Sequence, residues 1–577
     1  MAAHAHLEVT LTGGRPLPEC SAAPDGAWHW IDPTGPTRPL KVDGSGDWSH
    51  GQLIAPPSSA AAQPAWLDAL RSWRAGCVGS LGLEEPPVIF DDPQLRWTQT
   101  SVVHVQMHPF DLLFYDQASG QYTVRRWLDD LRERFGGVDA ALLWPTYPML
   151  GIDDRNAYDM IRSLPGGIDA LRGVVRELHA EGVRVLWPLM PWDTATRAEG
   201  PEPDAMLQLL EQTAADGVNG DTLYAIPEAF YTGGATKGVG SATEGTHAAL
   251  QAELGGALHG LKWSTLGWGE AGGWSLDLGR SPSHAPQVDL FKWLQPRRMT
   301  NICRRWDTNR TEALHHAWFN GVGYVAWENV WGIWNGLTPR DAEALKRMQA
   351  VLRYLGGKGL LGSSGWEPHA PTAQPESIFA SRFPQAVPTP GAHGACPVPT
   401  AWTLVERAAR QWPPASPVLR LEVAAYAGCS FLDLYRGELL TPDHSAGDGD
   451  ASHLTLRLHL EASGYGAILA IPEADAAAAL QGRRRAAAAT AAAEEITEEI
   501  TEEITEEITE EAATEAGVLA ALLAHQGRLV ADGRPLASYS AAWAPAQHRP
   551  VPAPDSAAAT AAAATAIVAA AAPDSAA

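Results

Sequence analysis

A glutamate, Glu328, is the residue best placed for chemistry in this sequence, because it follows a short apolar run and is surrounded by tryptophan. The run Gly323–Trp327 predicts a buried strand that ends in this carboxylate, and Trp331 follows closely. A buried carboxylate must be solvated, paired or in use, since burying it bare is costly. Indole faces beside an acid suit a sugar ring, which offers C–H faces for stacking and a bond for acid catalysis. Glu328 is therefore a candidate catalytic residue; the alternative is a carboxylate held by an arginine at a strand end.

The elements that would position this residue alternate between short apolar runs and helical periods. Buried strands that alternate with helices form a parallel sheet. Eight such units over about 250 residues match a closed (β/α)8 barrel of the TIM type, and an open doubly wound sheet is the alternative. The predicted strands are Ser101–Met107, Ala140–Trp144, Val183–Pro188, Gly217–Asp221, Leu261–Leu266, Val288–Trp293, Gly323–Trp327 and Gly359–Gly362.

Composition changes along the chain predict further domains. Alternating apolar and polar residues near Val418–Val423 and His453–Leu460 are typical of an antiparallel β-domain with one wet face. Repeats of Glu-Glu-Ile-Thr predict a solvated helical insertion, and Asp532-Gly533 predicts a hairpin turn. The predicted organisation is a β-rich segment at 1–60, a linker at 61–97, the barrel at 98–370, a C-terminal β-sandwich at 400–545 with the insertion at 474–516, and a disordered Ala/Pro tail at 546–577.

Charge and composition limit the partners. The 577 residues carry a formal charge of −25, which argues against nucleic acid or an anionic membrane as partner. The 23 Trp are more than a core requires and favour a ligand surface lined by indoles. The five Cys show neither a zinc motif nor a disulfide framework, and neither a signal peptide nor a membrane-spanning run is seen. We expect a cytoplasmic protein with a carbohydrate substrate and no cofactor.

The strand ends supply the remaining candidates, because a closed barrel carries its site at the C-terminal ends of its strands. Two carboxylates cleave most glycosidic bonds, and Asp221 and Glu328 are the preferred pair, with Glu270 able to replace either. The alternative for Asp221 is an N-cap of the next helix. The predicted substrate-binding residues are His104, His108, Trp144, Tyr147, Asp153, Arg155, Trp192, Asp193, Trp263, Lys292, Trp327 and Trp331.

Two of these groups have other interpretations. The loop that contains Asp153 and Arg155 could hold sugar hydroxyls, or an Arg–Asp network could simply order it. His104 and His108 fall on one side of a strand and could bind a metal, although a third ligand is not apparent and no metal site is predicted.

Gly217-Val-Asn-Gly-Asp221, Trp327-Glu328-Asn329 and the following β-sandwich together resemble the (β/α)8 glycoside hydrolase superfamily. The resemblance is nearest to the α-galactosidase, α-glucosidase and α-fucosidase group. It implies that Asp221 is a nucleophile at the end of strand four, with an acid on strand six or a nearby loop. The predicted sixth strand departs from that pattern, since it ends in Lys292-Trp293.

The expected activity is hydrolysis of an O-glycosidic bond. The alternatives are a non-catalytic carbohydrate-binding protein on a barrel scaffold and a metal-dependent hydrolase that uses His104 and His108.

Overall fold

Two compact units make up the chain, Met1–Lys346 and Arg347–Ala577. The computed structural model describes residues 9–10, 17, 20, 53–85, 88–146, 154–190, 202–221, 248–252, 258–270, 285–304, 309–330, 336–385, 396, 398–413, 416–443, 452–493 and 514–541. The predicted tail at 546–577 and most of the predicted β-rich segment at 1–60 lie outside these residues.

A closed barrel of eight parallel strands forms the centre of the first unit. Each strand pairs with the next in the chain, and the last closes the ring against the first through Tyr324–Val103 and Trp327–Gln106. The predicted (β/α)8 fold is confirmed and the open sheet is excluded. The strands are β1 Val103–Met107, β2 Ala140–Leu143, β3 Arg184–Leu189, β4 Gly217–Gly220, β5 Ala249–Ala252, β6 Leu266–Glu270, β7 Met299–Cys303 and β8 Gly323–Trp327.

Amphipathic helices alternate with these strands. In α2 (Val124–Phe135), the buried residues Val124, Leu128, Leu131 and Phe135 are spaced three or four positions apart and form one apolar stripe. Gly136 caps the end of the helix with a left-handed φ of 88°. The helices of this part of the chain are α1 Gln63–Ser80, α2 Val124–Phe135, α3 Ala157–Arg162, α4 Gly167–Ala180, α5 Glu202–Thr213, α6 Leu290–Leu294, α7 Thr311–Asn320 and α8 Pro339–Gly357.

The predicted linker at 61–97 is wrong, because most of it is the helix α1 with Leu67 and Leu70 buried. This segment belongs to the first unit: Trp293 of α6 donates its indole N–H to the Leu70 carbonyl at 3.3 Å. Ahead of α1, Leu53–Ile54 pairs antiparallel with Val288–Asp289. The other short elements are the hairpin Tyr115–Asp116 with Gln121–Tyr122 and the 3-10 helices Ala60–Ala62, Ile89–Asp91, Pro93–Gln99 and Leu258–Trp263.

Strands one to four were predicted correctly to within about two residues, whereas the later assignments need correction. Leu261–Leu266 is mostly the 3-10 helix that precedes β6. Val288–Trp293 turns into α6 because the Asp289 side chain accepts from the Lys292 backbone N–H at 2.7 Å and caps the helix. Gly359–Gly362 is a turn that follows α8, and Gly359 adopts a φ of 70° in it. Gly323–Trp327 is therefore the eighth strand.

The second unit contains an antiparallel β-sandwich, as predicted, and the first strand of this sandwich begins at Glu367 rather than at residue 400. Its six-stranded sheet has the order Glu367–Ala370, Ile378–Pro384, Thr400–Glu406, Tyr465–Pro472, Cys429–Asp433, Glu438–Leu440, and a separate pair is formed by Ser416–Glu422 and His453–Leu458. Trp402 and Ile468 of the larger sheet share one buried core with Val418 and Leu456 of the smaller pair. The strands are β9 Glu367–Ala370, β10 Ile378–Pro384, β11 Thr400–Glu406, β12 Ser416–Glu422, β13 Cys429–Asp433, β14 Glu438–Leu440, β15 His453–Leu458 and β16 Tyr465–Pro472.

Helices flank the Glu-Glu-Ile-Thr repeats, and the first of these helices occupies the start of the insertion predicted at 474–516. α9 (Glu473–Ala493) and α10 (Glu515–Asp532) pack on each other, while the Glu-Glu-Ile-Thr repeats lie outside the described residues. The predicted hairpin about Asp532-Gly533 is wrong, because Asp532 ends α10 and Gly533 follows as its C-cap. The short 3-10 helices Val423–Tyr426 and Leu536–Ser538 complete the unit.

Two disulfides correct the expectation of none. Cys20 pairs with Cys77 and Cys396 pairs with Cys429, with Cα–Cα distances of 4.9 and 4.6 Å. In both pairs the cysteines are far apart in sequence, by 57 and 33 residues, so spacing gave no sign of the pairing. Over the described part of the chain, a helix of the length and apolarity that a membrane crossing requires does not occur.

Candidate active site at the barrel mouth

The mouth of the barrel, meaning the edge formed by the C-terminal strand ends, brings together residues from distant parts of the sequence. Backbone hydrogen bonds continue the strand pairing beyond the strands: Trp144 donates to Met107, and Glu328 donates to Gln106, at 2.8 and 2.9 Å. The residues at the described strand ends are His108, Trp144, Met190, Asp221, Glu270, Arg304 and Glu328.

Successive side chains of each strand face alternately the helix layer and the barrel interior. Trp187 of β3 faces outward, because its indole N–H donates to a threonine hydroxyl of α5 at 3.0 Å. Its partner in register on β4 is Val218, which leaves Asn219 on the inner face. Asn219 in turn donates to the side chain of Gln251 in β5 at 2.8 Å, within the barrel.

Asp221 continues the inner face of β4, two residues beyond Asn219. Its backbone N–H donates to the Leu189 carbonyl at 2.9 Å, so the position is fixed by the sheet. The side chain is half-buried. Asp221 thus lies at the mouth on the side of the strand that faces the interior, and its alternative as an N-cap concerns the following residues, which are outside the described part of the chain.

The Glu328 side chain points toward the helix layer and away from the barrel interior. Its two carboxylate oxygens accept from both terminal nitrogens of Arg134, on α2, at 2.5 and 2.7 Å. Tyr324, on the same face of β8, lies among the charges of Arg310 and Asp341 at the starts of α7 and α8. Glu328 is only 3% exposed. Its geometry is that of the arginine-held carboxylate at a strand end.

The ion pair raises the pKa of Arg134. Burial alone would lower the pKa of Arg134, but the charge of Glu328 and its hydrogen bonds, with those of Asp130, raise it above its usual value. Asp130, one turn earlier in α2, also contacts Arg134 at 2.6 Å. Arg134 therefore links two carboxylates within the helix layer.

Glu270 is the last residue of β6, where its backbone pairs in register with Cys303 of β7. The predicted strand Leu261–Leu266 did not include this residue, whereas Leu266–Glu270 is a strand of the barrel. The corrected assignment gives strand six a carboxylate at its end. β6 is two strands from β4, which ends before Asp221.

A polar cluster missed from the sequence joins the loops after β8 and β1. Asn329 donates its side-chain amide to Asp111 at 2.8 Å, and its carbonyl accepts from the His108 backbone N–H at 3.2 Å. Asn329 has a φ of 43°, a left-handed conformation that asparagine tolerates better than most residues. The neighbouring positions of Glu328 and Asn329 were the available signal, but the partner Asp111 could not be inferred from spacing.

His108 lies at the mouth within this cluster. Its ring stacks on Phe110 with centroids 5.6 Å apart, and its Nδ1 accepts from the Phe110 backbone N–H at 3.2 Å. Burial lowers the pKa of His108, while a backbone hydrogen bond and the charge of Asp111 act in the opposite direction. His108 is suited to hydrogen bonding as a neutral imidazole.

Trp144 and Trp327 also lie at the mouth, each 5% exposed. Trp327 is in register with Gln106, on the face opposite to Tyr324, and so contributes to the inner wall. The predicted residues Tyr147, Asp153, Trp192, Asp193 and Trp331 lie outside the described residues.

Three predicted substrate-binding residues lie away from the mouth. Trp263 and Lys292 precede β6 and β7, so they lie near the N-terminal ends of these strands. The strand assignments that had placed them at the mouth are wrong. His104, the second residue of β1, is buried and its Nε2 lies 2.7 Å from the hydroxyl of Ser101, which precedes the strand. Burial lowers the pKa of His104 to about 4, with the charge of Asp139 opposing.

Arg155 orders its own loop. Its guanidinium donates to the Ser163 hydroxyl at 2.8 Å, and Asn156 and Asp159 form a reciprocal capping box at the start of α3. These contacts match the interpretation in which the loop residues hold each other. Among the described residues, a group of three or more His, Cys, Asp or Glu that could bind a metal is not found.

Comparison with family models and with curated proteins finds no match for this chain. Solved structures similar to it include an α-amylase of Geobacillus thermoleovorans complexed with acarbose, at 11% identity and a TM-score of 0.41, covering 65% of this chain and 99% of the other. A noncanonic maltogenic α-amylase, AmyB of Thermotoga neapolitana, is 12% identical with a TM-score of 0.40, and the match covers 65% of this chain and 99% of the other. A cyclomaltodextrinase is 14% identical with a TM-score of 0.39, and the match covers 67% of this chain and 80% of the other. At these identities and TM-scores the similarity carries no conclusion about activity.

Proposed function

We propose that this chain is a glycoside hydrolase that cleaves an O-glycosidic bond with Asp221 and Glu270 at the barrel mouth. The observation that supports the proposal is the backbone position of Asp221, directly after β4, and of Glu270, the last residue of β6, both at the C-terminal edge of the barrel. Glu270 takes the place first considered for Glu328, because Glu328 is bound to Arg134 in the helix layer.

The spacing of the two strands is compatible with this chemistry. Neighbouring strands lie about 4.8 Å apart, so two strand ends separated by one strand are about 10 Å apart along the wall. Backbone positions about 10 Å apart are compatible with the carboxylate separations that glycoside hydrolases use, about 5–5.5 Å for retention or about 6.5–9.5 Å for inversion.

The resemblance to the α-galactosidase, α-glucosidase and α-fucosidase group supports the same assignment. That group has an aspartate nucleophile at the end of strand four and an acid on strand six or a nearby loop. With β6 at Leu266–Glu270, both positions of this sequence carry a carboxylate. We propose Asp221 as nucleophile and Glu270 as acid.

The wall of the site would hold the sugar. Trp144 and Trp327 offer indole surfaces, and His108, fixed by its contacts with Phe110 and the Asn329 backbone, offers a hydrogen-bonding imidazole. The roles of Tyr147, Asp153, Trp192, Asp193 and Trp331 in binding remain predictions.

A non-catalytic carbohydrate-binding protein is the second candidate. It is favoured by one observation, namely that the carboxylate of Glu328 is engaged by an arginine. Such a protein would keep the indoles and tolerate neutral residues at positions 221 and 270.

The metal-dependent alternative is disfavoured by geometry. Four residues of strand separate His104 from His108 by about 13 Å. The bond between His104 and Ser101 also draws the His104 ring toward the N-terminal end of β1.

Hydrolysis of a panel of aryl α- and β-glycosides by the full chain, with Asp221→Asn and Glu270→Gln as variants, separates the two candidates. We expect each variant to lose about 100-fold or more in kcat while its thermal unfolding is retained. Glu328→Gln is the control for removal of a carboxylate that is bound in the helix layer: its stability should fall, but the kcat of the folded protein should stay near that of the wild type. Equal sugar binding by the wild type, Asp221→Asn and Glu270→Gln, without turnover by any of them, would establish the binding protein and refute the hydrolase.

A further inference from the structure

A buried cluster of charges lies at the opposite end of the barrel from the mouth. Lys292 on α6 and Arg298, one residue before β7, are each only 1% exposed, and Asp289 is 2% exposed. Asp289 is the carboxylate whose charge acts on both cations in the described part of the chain. Two buried cations therefore share one buried anion.

Hydrogen bonds leave this excess of positive charge uncompensated. The carboxylate of Asp289 accepts from the backbone N–H of Lys292, at 2.7 Å, where it caps α6. The Lys292 ammonium donates to the Pro296 carbonyl at 2.6 Å, a neutral acceptor. Arg298 donates through Nη2 to the Ser264 hydroxyl and the Leu266 carbonyl, at 2.9 and 3.0 Å.

The Arg298 guanidinium also has N–H donors that are not used in these hydrogen bonds. Its Nε and Nη1 are buried and have no hydrogen-bond acceptor in the described structure. The hydroxyl of Thr300, two residues along the same face of β7, is also buried and has no hydrogen-bond partner among the residues that the structure describes. The ring of Phe291, 5.2 Å from the guanidinium carbon, adds no anion.

We propose that Arg298, Lys292 and Thr300 bind a small monovalent anion of the chloride class, a site separate from the barrel mouth. A buried charge without a counter-ion is strongly destabilising, and one bound anion would balance the cluster of two cations and one carboxylate. The bound anion would accept hydrogen bonds from the Nε and Nη1 groups of Arg298 and from the Thr300 hydroxyl. A multivalent anion such as sulfate fits worse, because the cost of dehydration rises with charge.

The pKa values support the same reading of the charge balance. Burial lowers the pKa of Lys292 to about 7 and that of Arg298 to about 10, and in each case the attraction of Asp289 only partly opposes the effect. Both cations thus lack the compensation that a bound anion supplies.

Thermal unfolding of the full chain tests the site. The midpoint is measured as sodium gluconate is replaced by sodium chloride at constant ionic strength, so that general screening is unchanged. Because an anion bound only by the folded chain stabilises it by mass action, we expect the midpoint to rise by about 2 °C or more and to follow a saturable curve. A flat response in the wild type would overturn the proposal.

Variants locate the response. Arg298→Met should abolish the chloride-dependent shift, and Lys292→Met should weaken it. Arg297→Met is the matched control, since Arg297 is 39% exposed and already donates to Asp91 at 2.6 Å; it should respond as the wild type does. If Arg298→Met does not fold, Thr300→Val gives a second test through a weaker apparent affinity. Unchanged chloride curves in the Lys292 and Thr300 variants would refute the assignment.

Discussion

Arg134 donates to both carboxylate oxygens of Glu328, and this contact holds the Glu328 side chain in the helix layer. The distances of 2.5 and 2.7 Å define a bidentate pair. Because the arginine belongs to α2, the pair fixes the end of β8 to the helix that follows β1. Glu328 thereby stabilises the edge on which Asn329 and His108 are placed.

Breaking this pair should affect stability much more than turnover. We expect Arg134→Met to lower the free energy of unfolding by about 3–5 kcal/mol, because it leaves the carboxylate of Glu328 buried and unpaired. Urea unfolding measures the loss. Arg125→Met, on the same helix with an arginine side chain that is 79% exposed, is the control and should cost less than about 1 kcal/mol. A similar small cost for both variants would contradict a structural role of the pair.

The roles proposed for the two carboxylates predict different rescue behaviour. Asp221→Ala should remove the nucleophile, and added azide should restore cleavage of an activated aryl glycoside by forming a glycosyl azide. The small anion fills the space left by the carboxylate. Product analysis by chromatography or NMR identifies the azide adduct. In Asp221→Ala the azide displaces the aryl group directly and should give an adduct of inverted anomeric configuration, whereas in Glu270→Ala it should attack the glycosyl-enzyme and give a retained adduct. The opposite pair of configurations would reverse the assignment.

The left-handed backbone of Asn329 predicts an unusual order of stability among its variants. Asn329→Gly loses the hydrogen bond to Asp111 but keeps an easy φ of 43°, whereas Asn329→Ala loses the bond and adds backbone strain. We expect the alanine variant to be less stable than the glycine variant by about 1 kcal/mol, measured by urea unfolding. Equal stability of the two would show that the conformation is not strained for alanine.

A pH-dependent difference is expected at Asp433 in the β-sandwich. Burial raises the pKa of Asp433 to about 7, although its contacts with Arg436 oppose the shift. The folded chain then keeps a proton that the unfolded chain loses above pH about 4, so this group lowers stability as the pH rises from about 4 to about 7. Its side-chain oxygen also accepts from the Tyr435 and Arg436 backbone N–H groups, which asparagine can reproduce.

Asp433→Asn should therefore gain stability relative to the wild type across this window, on the order of 1 kcal/mol per pH unit, and the gain should level off above pH about 7. Urea unfolding at a series of pH values measures the difference. A constant difference from pH 4 to 8 would exclude titration of Asp433 as its cause.

The barrel could be predicted from sequence because its first four strands are apolar runs that precede or follow clear helical periods. The later strands were predicted incorrectly because of features of their local sequence. β5 is the short Ala249–Ala252 and carries no β-branched residue, while Val288–Asp289 begins as a strand but is stopped by its own capping aspartate. In the observed fold Glu270 is the last residue of a barrel strand, whereas Lys292 lies in a helix.

The environment of a carboxylate was harder to predict than its presence. Arg134 and Glu328 are 194 residues apart in the chain, and Asn329 and Asp111 are 218 apart. Neither partner follows from local spacing. The sequence indicated that Glu328 must be paired or in use, but only the fold identifies the guanidinium that pairs with it.

The contact of Trp293 with Leu70 has a practical consequence for isolating the barrel. Cutting the chain at residue 98, where the strand–helix alternation starts, would uncover Trp293 and leave Val288–Asp289 without the antiparallel partner Leu53–Ile54. A fragment meant to fold alone must retain Leu53–Ser80, the stretch that sequence pattern treats as a spacer. Limited proteolysis of such fragments would show a protected core only when that upstream stretch is present.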